Sequence, residues 1–321
     1  MEKDFLNWYD EKCKNIQFRN NVILNLIGGR QKGVVYDDGN KFHFKTPHSR
    51  IFKVAGYKGH MLPAGKRICS TMDNFFAISS ELISRKKYRA FGMLYADYHV
   101  LLDSSLEHET KIASPNVFDN DKYYVELNHL YDQAEMFRDS AIYDTWKYNF
   151  EEVFTKKSDF LIFMTEKGYD EYVKYLLLSM FEFSDDEHYS NLIFYGDDFR
   201  DKLDGVFLFD KESTIFNPML AANCSLDYIE RSLKFNKKYN NRRCFESQEE
   251  TFDRRFEMLL DMIQRGVIPP KYVRFIEEIA GIDYGAIAKS IKNESGISVN
   301  NLQIEMYQLG NRKAEELLQK I

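Results

Sequence analysis

The pattern of apolar and polar residues predicts that the chain begins with a series of strands. An apolar run at 21–27 and two strand-like runs at 34–36 and 41–45 follow one another closely. The last two are separated by the turn signal Asp37-Asp38-Gly39-Asn40, which is typical of a β-hairpin. The glycine-rich stretch 28–33 therefore joins two strands. Because no helix follows these glycines, a dinucleotide-binding or P-loop interpretation is excluded.

The next part of the chain is predicted to contain one helix and more strands. Apolar residues recur at helical spacing over 73–87, and Phe91-Gly92 ends the pattern. A weak alternation over 95–102 indicates a strand. Two further strand-like runs, 111–114 and 123–127, are expected to pair with each other.

Helical patterns dominate the rest of the chain. One exception is a hairpin formed by 192–195 and 206–209, with a long polar loop between them. The predicted helices cover 131–138, 145–153, 159–165, 170–183, 225–235, 248–265, 270–280, 284–292 and 299–318.

These elements predict an α+β fold with two lobes. The length of 321 residues is consistent with about two domains or lobes. We expect an N-terminal arm at 1–19, a β-rich N-lobe at 20–128 and a helical C-lobe at 129–321.

Composition places the chain among cytoplasmic globular proteins. Hydrophobic residues make up 44%, and no apolar run is long enough for a membrane span. The charged N-terminus lacks a signal-peptide pattern, and four widely spaced cysteines predict neither disulfides nor a zinc site. The net charge of −6 argues against bulk nucleic-acid binding. The basic, aromatic-rich stretch 234–243 is more often a solvated loop than a nucleic-acid contact.

Polar residues at both ends of the predicted hairpin suggest phosphoryl transfer. Asp186 and Asn191 are five residues apart, which is the spacing of a protein-kinase catalytic loop. Asp210 ends the second strand, and a hairpin brings its two ends together. Asn191 and Asp210 could therefore share Mg²⁺, which prefers oxygen ligands. Asp186 could accept the proton of an attacking hydroxyl, with the adjacent Asp185 as the alternative base.

The N-lobe contains the complementary residues of a kinase in the same order. Gly33 precedes Lys45 by twelve residues, and Glu81 lies on the predicted helix that follows. In a kinase the glycine turn covers the phosphates, and a helical glutamate orients the β3 lysine. Alternatively, Glu81 could be a surface residue or pair with Arg85.

The chain resembles the HipA-type serine/threonine kinases, in particular their compact members. The resemblance spans about residues 25 to 220. It rests on four parts of the chain. The first is the glycine loop and lysine strand at 28–45, and the second is Glu81, Gly92, Ala96 and Tyr98, which match the family's E…G-I-x-x-A-x-Y. The third is Asp186-Glu187-His188-Tyr189-Ser190-Asn191 (D-R-H-x-x-N), and the fourth is Phe209-Asp210 (F-D).

This resemblance implies a two-lobed protein-kinase-like fold that transfers the γ-phosphoryl group of ATP to a serine or threonine of a protein, with Mg²⁺. It implies a small DNA-binding protein as a possible partner. The implied nucleotide-binding residues are Gly28, Gly29, Arg30, Gly33 and Lys45, oriented by Glu81. The implied catalytic base is Asp186, the metal ligands are Asn191 and Asp210, and His188 is either catalytic or a structural histidine of the loop.

Departures from the family pattern leave alternatives open. Glu187 replaces the usual arginine, and no glycine follows Asp210 closely. The first alternative is a nucleotide-binding pseudokinase that serves as an interaction module. The others are a HipA-like toxin component and a kinase of lipids or small molecules. Export into another cell is the alternative to a cytoplasmic location.

Overall fold

The computed structural model describes residues 23–26, 32–37, 40–45, 70–101, 111–115, 123–126, 164–183, 192–197, 202–208, 225–233 and 252–321. These residues form a mixed structure of helices and two β-sheets. The strands are β1 (Ile23–Leu26), β2 (Lys32–Asp37), β3 (Asn40–Lys45), β4 (Leu94–Tyr95), β5 (His99–Leu101), β6 (Lys111–Pro115), β7 (Tyr123–Glu126), β8 (Leu192–Gly196) and β9 (Gly205–Leu208). The helices are α1 (Ser70–Ala90), α2 (Glu166–Phe181), α3 (Leu226–Ser232), α4 (Phe252–Gln264), α5 (Pro270–Ala280), α6 (Tyr284–Ser295) and α7 (Asn301–Gln319).

The first sheet has five antiparallel strands in the order β1-β2-β3-β6-β5. The three strands predicted from the N-terminal pattern are confirmed, and β2 and β3 form the predicted hairpin. Strand β2 begins one residue before Gly33, which pairs with Phe44, so this glycine lies within a strand. Lys45 is the last residue of β3 and lies between Lys32 and Ile112 on the neighbouring strands.

The second sheet has four strands in the order β4-β9-β8-β7. Strands β8 and β9 form the predicted hairpin, in which Leu192 pairs with Leu208. Strand β4 lies parallel to β9 on its other side.

Two predictions about strands were wrong. Strands β6 and β7 exist but do not pair with each other, because β6 joins the first sheet and β7 joins the second. The single strand predicted at 95–102 is two short strands, β4 and β5, which also belong to different sheets. Local alternation detects an extended segment, whereas its partner depends on contacts far away in sequence.

The predicted helices that fall mainly on described residues are confirmed. The helix predicted at 159–165 is wrong at its described end, because Met164 forms a β-bridge with Leu203 and Thr165 is the N-cap of the next helix. Helix α5 has the predicted bounds, and α1 is longer than predicted by three residues at each end. Helix α2 begins after Thr165, whose hydroxyl accepts a hydrogen bond from the Gly168 N–H as an N-cap. The predicted arm at 1–19 and the predicted helices at 131–138 and 145–153 lie outside the described residues.

Helix α1 is a core helix. Every residue from 76 to 85 is buried, so the helix has no solvent-facing stripe over these turns. It packs against α6, and it ends at Gly92, which takes a left-handed conformation with a φ of 67°. The Gly92 N–H then bonds to the Arg89 carbonyl, and the Met93 N–H bonds to the Tyr88 carbonyl. No helix in the described part of the chain is long and apolar enough to cross a membrane.

Candidate functional site

Most of the predicted site residues lie outside the described residues. These are Gly28, Gly29, Arg30, Asp186, His188, Asn191 and Asp210. The backbones of Gly33 and Lys45 are described in the first sheet, but the Lys45 side chain is not. Their roles therefore stay predictions.

Glu81 is a predicted site residue whose side chain the structure does describe. It lies in the middle of α1 and is completely buried, with 0% of its surface exposed. The prediction of a possible surface residue or an Arg85 partner was therefore wrong. Arg85 forms its ion pairs with Asp97 and Glu294, at 3.5 and 2.6 Å.

The hydroxyl of Tyr95 donates a hydrogen bond to Oε2 of Glu81. Tyr95 lies on β4 and is fully buried. Its ring stacks on Tyr88 with the centroids 5.3 Å apart, and it meets Tyr98 edge to face at 6.4 Å. Burial, followed by the charge of Glu81, raises the pKa of Tyr95 well above its usual value. The hydroxyl therefore stays protonated and can donate to the carboxylate.

The backbone around Tyr95 joins the strand that leads to Asp210. Tyr95 pairs with Leu208 of β9, and the N–H of Ala96 donates to the Leu208 carbonyl at 2.9 Å. Leu208 in turn pairs with Leu192 of β8. One short strand thus connects the neighbourhood of Glu81 to the hairpin next to which Asn191 and Asp210 occur in the sequence.

A second buried carboxylate, Glu182, lies at the C-terminal end of α2. It forms an ion pair with Lys87 of α1, and the hydroxyl of Tyr88 donates to its Oε2 at 3.1 Å. Both charged side chains are almost completely removed from water. Breaking such a pair leaves an uncompensated charge in the core, so the pair fixes α1 against the end of α2.

Gln303 of α7 forms three further hydrogen bonds with α1. Its amide accepts a hydrogen bond from the Ser79 hydroxyl at 2.6 Å. It donates to the Ser80 hydroxyl at 3.0 Å and to the Phe76 carbonyl at 3.1 Å. All four residues are buried, and buried polar groups stay in the core only when they are hydrogen-bonded. The position of Glu81 on α1 is therefore fixed by α2, α7 and β4 together.

Tyr95 and Gln303 are not among the residues that the sequence patterns indicate. Tyr95 occurs between Gly92 and Tyr98 of the E…G-I-x-x-A-x-Y segment, at a position where the pattern specifies no residue type. The one available signal for Tyr95 was a tyrosine in an otherwise apolar strand next to a buried helix. A buried tyrosine hydroxyl needs a hydrogen-bond partner. Gln303 gave no signal, because it is 224 residues from Ser79.

Comparison with known proteins gives matches among solved structures but none by sequence. No protein-family model matches the chain, and no curated protein matches it. The crystal structure of the Helicobacter pylori proinflammatory kinase CtkA is similar, with a TM-score of 0.46 and 12% sequence identity. The alignment covers 94% of this chain and 93% of that chain. This likeness is weak, and the functional proposal depends on the residues of this chain instead.

Proposed function

We propose that the chain is a two-lobed kinase that uses ATP and Mg²⁺ to phosphorylate a serine or threonine of a protein. The observation that carries this proposal is the complete burial of Glu81 on the helix that follows β3. Buried carboxylates are kept in protein cores by ion pairs and hydrogen bonds, and in a kinase the helical glutamate pairs with the lysine of the third strand. Lys45 at the end of β3 is the cation that a kinase places there.

The order of the N-terminal elements supports this pairing. A glycine-rich stretch joins β1 to β2, a hairpin leads to β3, and the next described helix is α1. In protein kinases a glycine-rich loop, a lysine on the third strand and a glutamate on the following helix occur in this order. The lysine holds the α- and β-phosphates of ATP, and the glutamate keeps the lysine in position.

The register of the β8–β9 hairpin supports the proposed metal site. Asn191 directly precedes Leu192, and Asp210 comes two residues after Leu208, which is paired with Leu192. A trans peptide spans about 3.8 Å, so both side chains start within about 8 Å of the same end of this hairpin. An amide oxygen and a carboxylate match the oxygen preference of Mg²⁺. When bound, Mg²⁺ would neutralise charge on the phosphate oxygens.

Asp186 has the proposed role of catalytic base. It lies in the sequence between the end of α2 and the beginning of β8, five residues before Asn191. Its carboxylate would orient the acceptor hydroxyl and take its proton as the new bond to phosphorus forms. Lys45 would hold the phosphates that become the leaving group. Phosphoryl transfer depends mainly on such positioning and charge stabilisation.

Incubation of the protein with γ-labelled ATP and Mg²⁺, alone and with a cell lysate, tests this function. We expect label on serine or threonine of the protein itself or of a lysate protein. ATP at a hundredfold excess over Kd should stabilise the fold by about 2.7 kcal/mol, and Lys45→Ala should remove most of this effect. Asp210→Ala should abolish transfer while the free energy of unfolding changes by less than about 2 kcal/mol.

Each result has a distinct meaning for the proposal. Full transfer by Asp210→Ala would show that the proposed metal site is wrong. Stabilisation by ATP without any transfer would favour the pseudokinase alternative. No binding of ATP at millimolar concentration would rule out the kinase function.

A pair of adjacent variants tests the choice of base. Asp186→Asn keeps the shape of the side chain but removes its negative charge and its ability to accept a proton. We expect kcat to fall by roughly 10²- to 10⁴-fold, with nearly unchanged ATP affinity. The matched control, Asp185→Asn, should lower kcat by less than about tenfold. Equal losses in the two variants, or full activity of Asp186→Asn, would contradict the assignment.

A further inference from the structure

Tyr95 is the residue that links the two halves of the proposed site. Its side chain donates to the Glu81 carboxylate, which lies on the N-terminal side of that site. Its backbone pairs with Leu208, two residues before the proposed metal ligand Asp210. The residue is fully buried, so water does not compete for its hydroxyl.

We propose that Tyr95 is a positioning residue for phosphoryl transfer, which rests on the function proposed above. Its hydroxyl holds the Glu81 carboxylate in the orientation in which that carboxylate pairs with Lys45. Its backbone pairs with β9, which ends two residues before Asp210 in the sequence, and so fixes the position of the tyrosine relative to this strand.

The chemistry of this hydrogen bond favours a Tyr95 that supports phosphoryl transfer over a Tyr95 that inhibits it. A carboxylate has two oxygens and can accept about four hydrogen bonds, so a bond from Tyr95 to Oε2 is compatible with an ion pair to Lys45. A bond from a neutral donor to a charged acceptor is stronger than one between neutral groups. It therefore restricts rotation of the flexible Glu81 side chain before ATP binds. Less conformational entropy is then lost when the transition state forms.

The packing of the tyrosine ring makes the hydroxyl a fixed donor. The ring stacks on Tyr88 at an interplanar angle of 11°, and it forms a T-shaped pair with Tyr98 at an angle of 73°. A side chain held by two aromatic neighbours keeps its orientation, so the hydroxyl points at one place. Phenylalanine at position 95 would keep both ring contacts and remove only the oxygen.

Tyr95→Phe and the matched control Tyr88→Phe test the proposal. Each variant deletes one buried hydroxyl that donates to a buried glutamate, and the two rings are stacked on each other. We expect both variants to lose a similar few degrees in Tm. Only Tyr95→Phe should lower kcat, by roughly tenfold to a hundredfold, while the Kd for ATP measured by calorimetry changes much less.

A double-mutant cycle with Glu81→Gln separates positioning from a general structural effect. Glutamine keeps a hydrogen-bond acceptor for Tyr95 but cannot form an ion pair with Lys45. If Tyr95 acts through Glu81, Tyr95→Phe should reduce kcat strongly in the wild-type background and by less than about twofold in the Glu81→Gln background.

The outcomes separate this inference from the function on which it rests. If the wild type neither binds ATP nor transfers phosphate, both are overturned. If the wild type is active and Tyr95→Phe has the same kcat, or a higher one, the positioning role alone is overturned. A higher kcat would mean that the tyrosine holds Glu81 away from Lys45. Equal loss of kcat in Tyr95→Phe and Tyr88→Phe would also overturn it.

Discussion

Asp97 is a buried carboxylate next to two arginines and a histidine. It is 2% exposed, and its oxygens lie 3.5 Å from Nε of Arg85, 3.4 Å from Nη1 of Arg89 and 2.8 Å from Nε2 of His99. Burial by itself would raise the pKa of Asp97. The hydrogen bond and charge of His99 and the charges of both arginines outweigh burial, and they lower this pKa well below its usual value.

Asp97→Asn should therefore destabilise the protein by about 2–4 kcal/mol at neutral pH, because two arginines lose their shared counter-charge. The native carboxylate stays ionised where an unfolded aspartate takes up a proton, so its contribution is present above about pH 4 and declines below it. Urea unfolding at several pH values measures this. The difference between wild type and variant should shrink as the pH falls below about 4.

Asp261→Asn is the matched control for this measurement. Its carboxylate pairs with Arg265 at 2.8 Å, but both side chains are about half exposed. An exposed pair contributes little to stability, so the loss should be below about 1 kcal/mol. Equal losses in the two variants would contradict the role of burial at Asp97.

At the scale of the elements, the sequence predicted the hairpin turns and helix ends that depend on neighbouring residues. The β2–β3 hairpin has a turn of aspartate, glycine and asparagine between short strands, and Pro270 marks the first turn of α5. The order of Lys45, Glu81 and Asp210 along the chain was sufficient to suggest a site, because a kinase site is defined partly by that order.

Sequence patterns could not predict the contacts between distant elements. Strands β6 and β7 are both short, and nothing in either run shows that they join different sheets. The helical spacing within α1 did not predict that every residue from 76 to 85 would be buried. The hydrogen bond from Tyr95 to Glu81 could not be predicted either, because the place of β4 in the second sheet depends on its pairing with the distant strand β9.

The contact between α7 and the end of α2 depends on a glycine. A methyl group at Gly310 would lie 2.0 Å from the carbonyl oxygen of Phe181. Alanine is favoured over glycine within a helix by about 1 kcal/mol, but this overlap forces the two helices apart. We expect Gly310→Ala to lower the free energy of unfolding by about 1–3 kcal/mol in urea denaturation.

Gly281→Ala provides the comparison for that substitution. Its added methyl group would meet only the carbonyl oxygens of Glu277 and Glu278 at 3.6 Å, which is an ordinary contact distance. The free energy of unfolding should change by less than about 0.5 kcal/mol. A stable Gly310→Ala variant would mean that α7 can shift away from α2 without cost.

At the scale of the whole molecule, buried tyrosines connect most of the helices to one core. The sequence contains 21 tyrosines. Burial is the main cause that raises the pKa of five of them above the usual value of about 10, namely Tyr95, Tyr169, Tyr272, Tyr284 and Tyr307. In the folded protein these hydroxyls keep their protons at a pH where the unfolded chain would lose them.

The protein should therefore become less stable as the pH rises above about 10. Deprotonation of these tyrosines favours the unfolded chain. Their contribution to the free energy of unfolding is therefore complete below about pH 10 and declines above it. An alkaline titration followed by tyrosinate absorbance and by far-ultraviolet circular dichroism measures this. The five buried tyrosines should ionise at a higher pH than the exposed ones, and the helical signal should disappear at the same pH. Ionisation of all tyrosines while the helices persist would contradict the prediction.

The hydrogen bonds between α1 and Gln303 can form only late in biosynthesis. Ser79 and Gln303 are 224 residues apart, so translation at about 5–20 residues per second separates their exit from the ribosome by roughly 10 to 45 s. During this interval α1, one of the first helices made, lacks the helix that covers its serines. A nascent chain that stalls before residue 303 would expose the apolar surface of α1, and chaperones would recognise that surface.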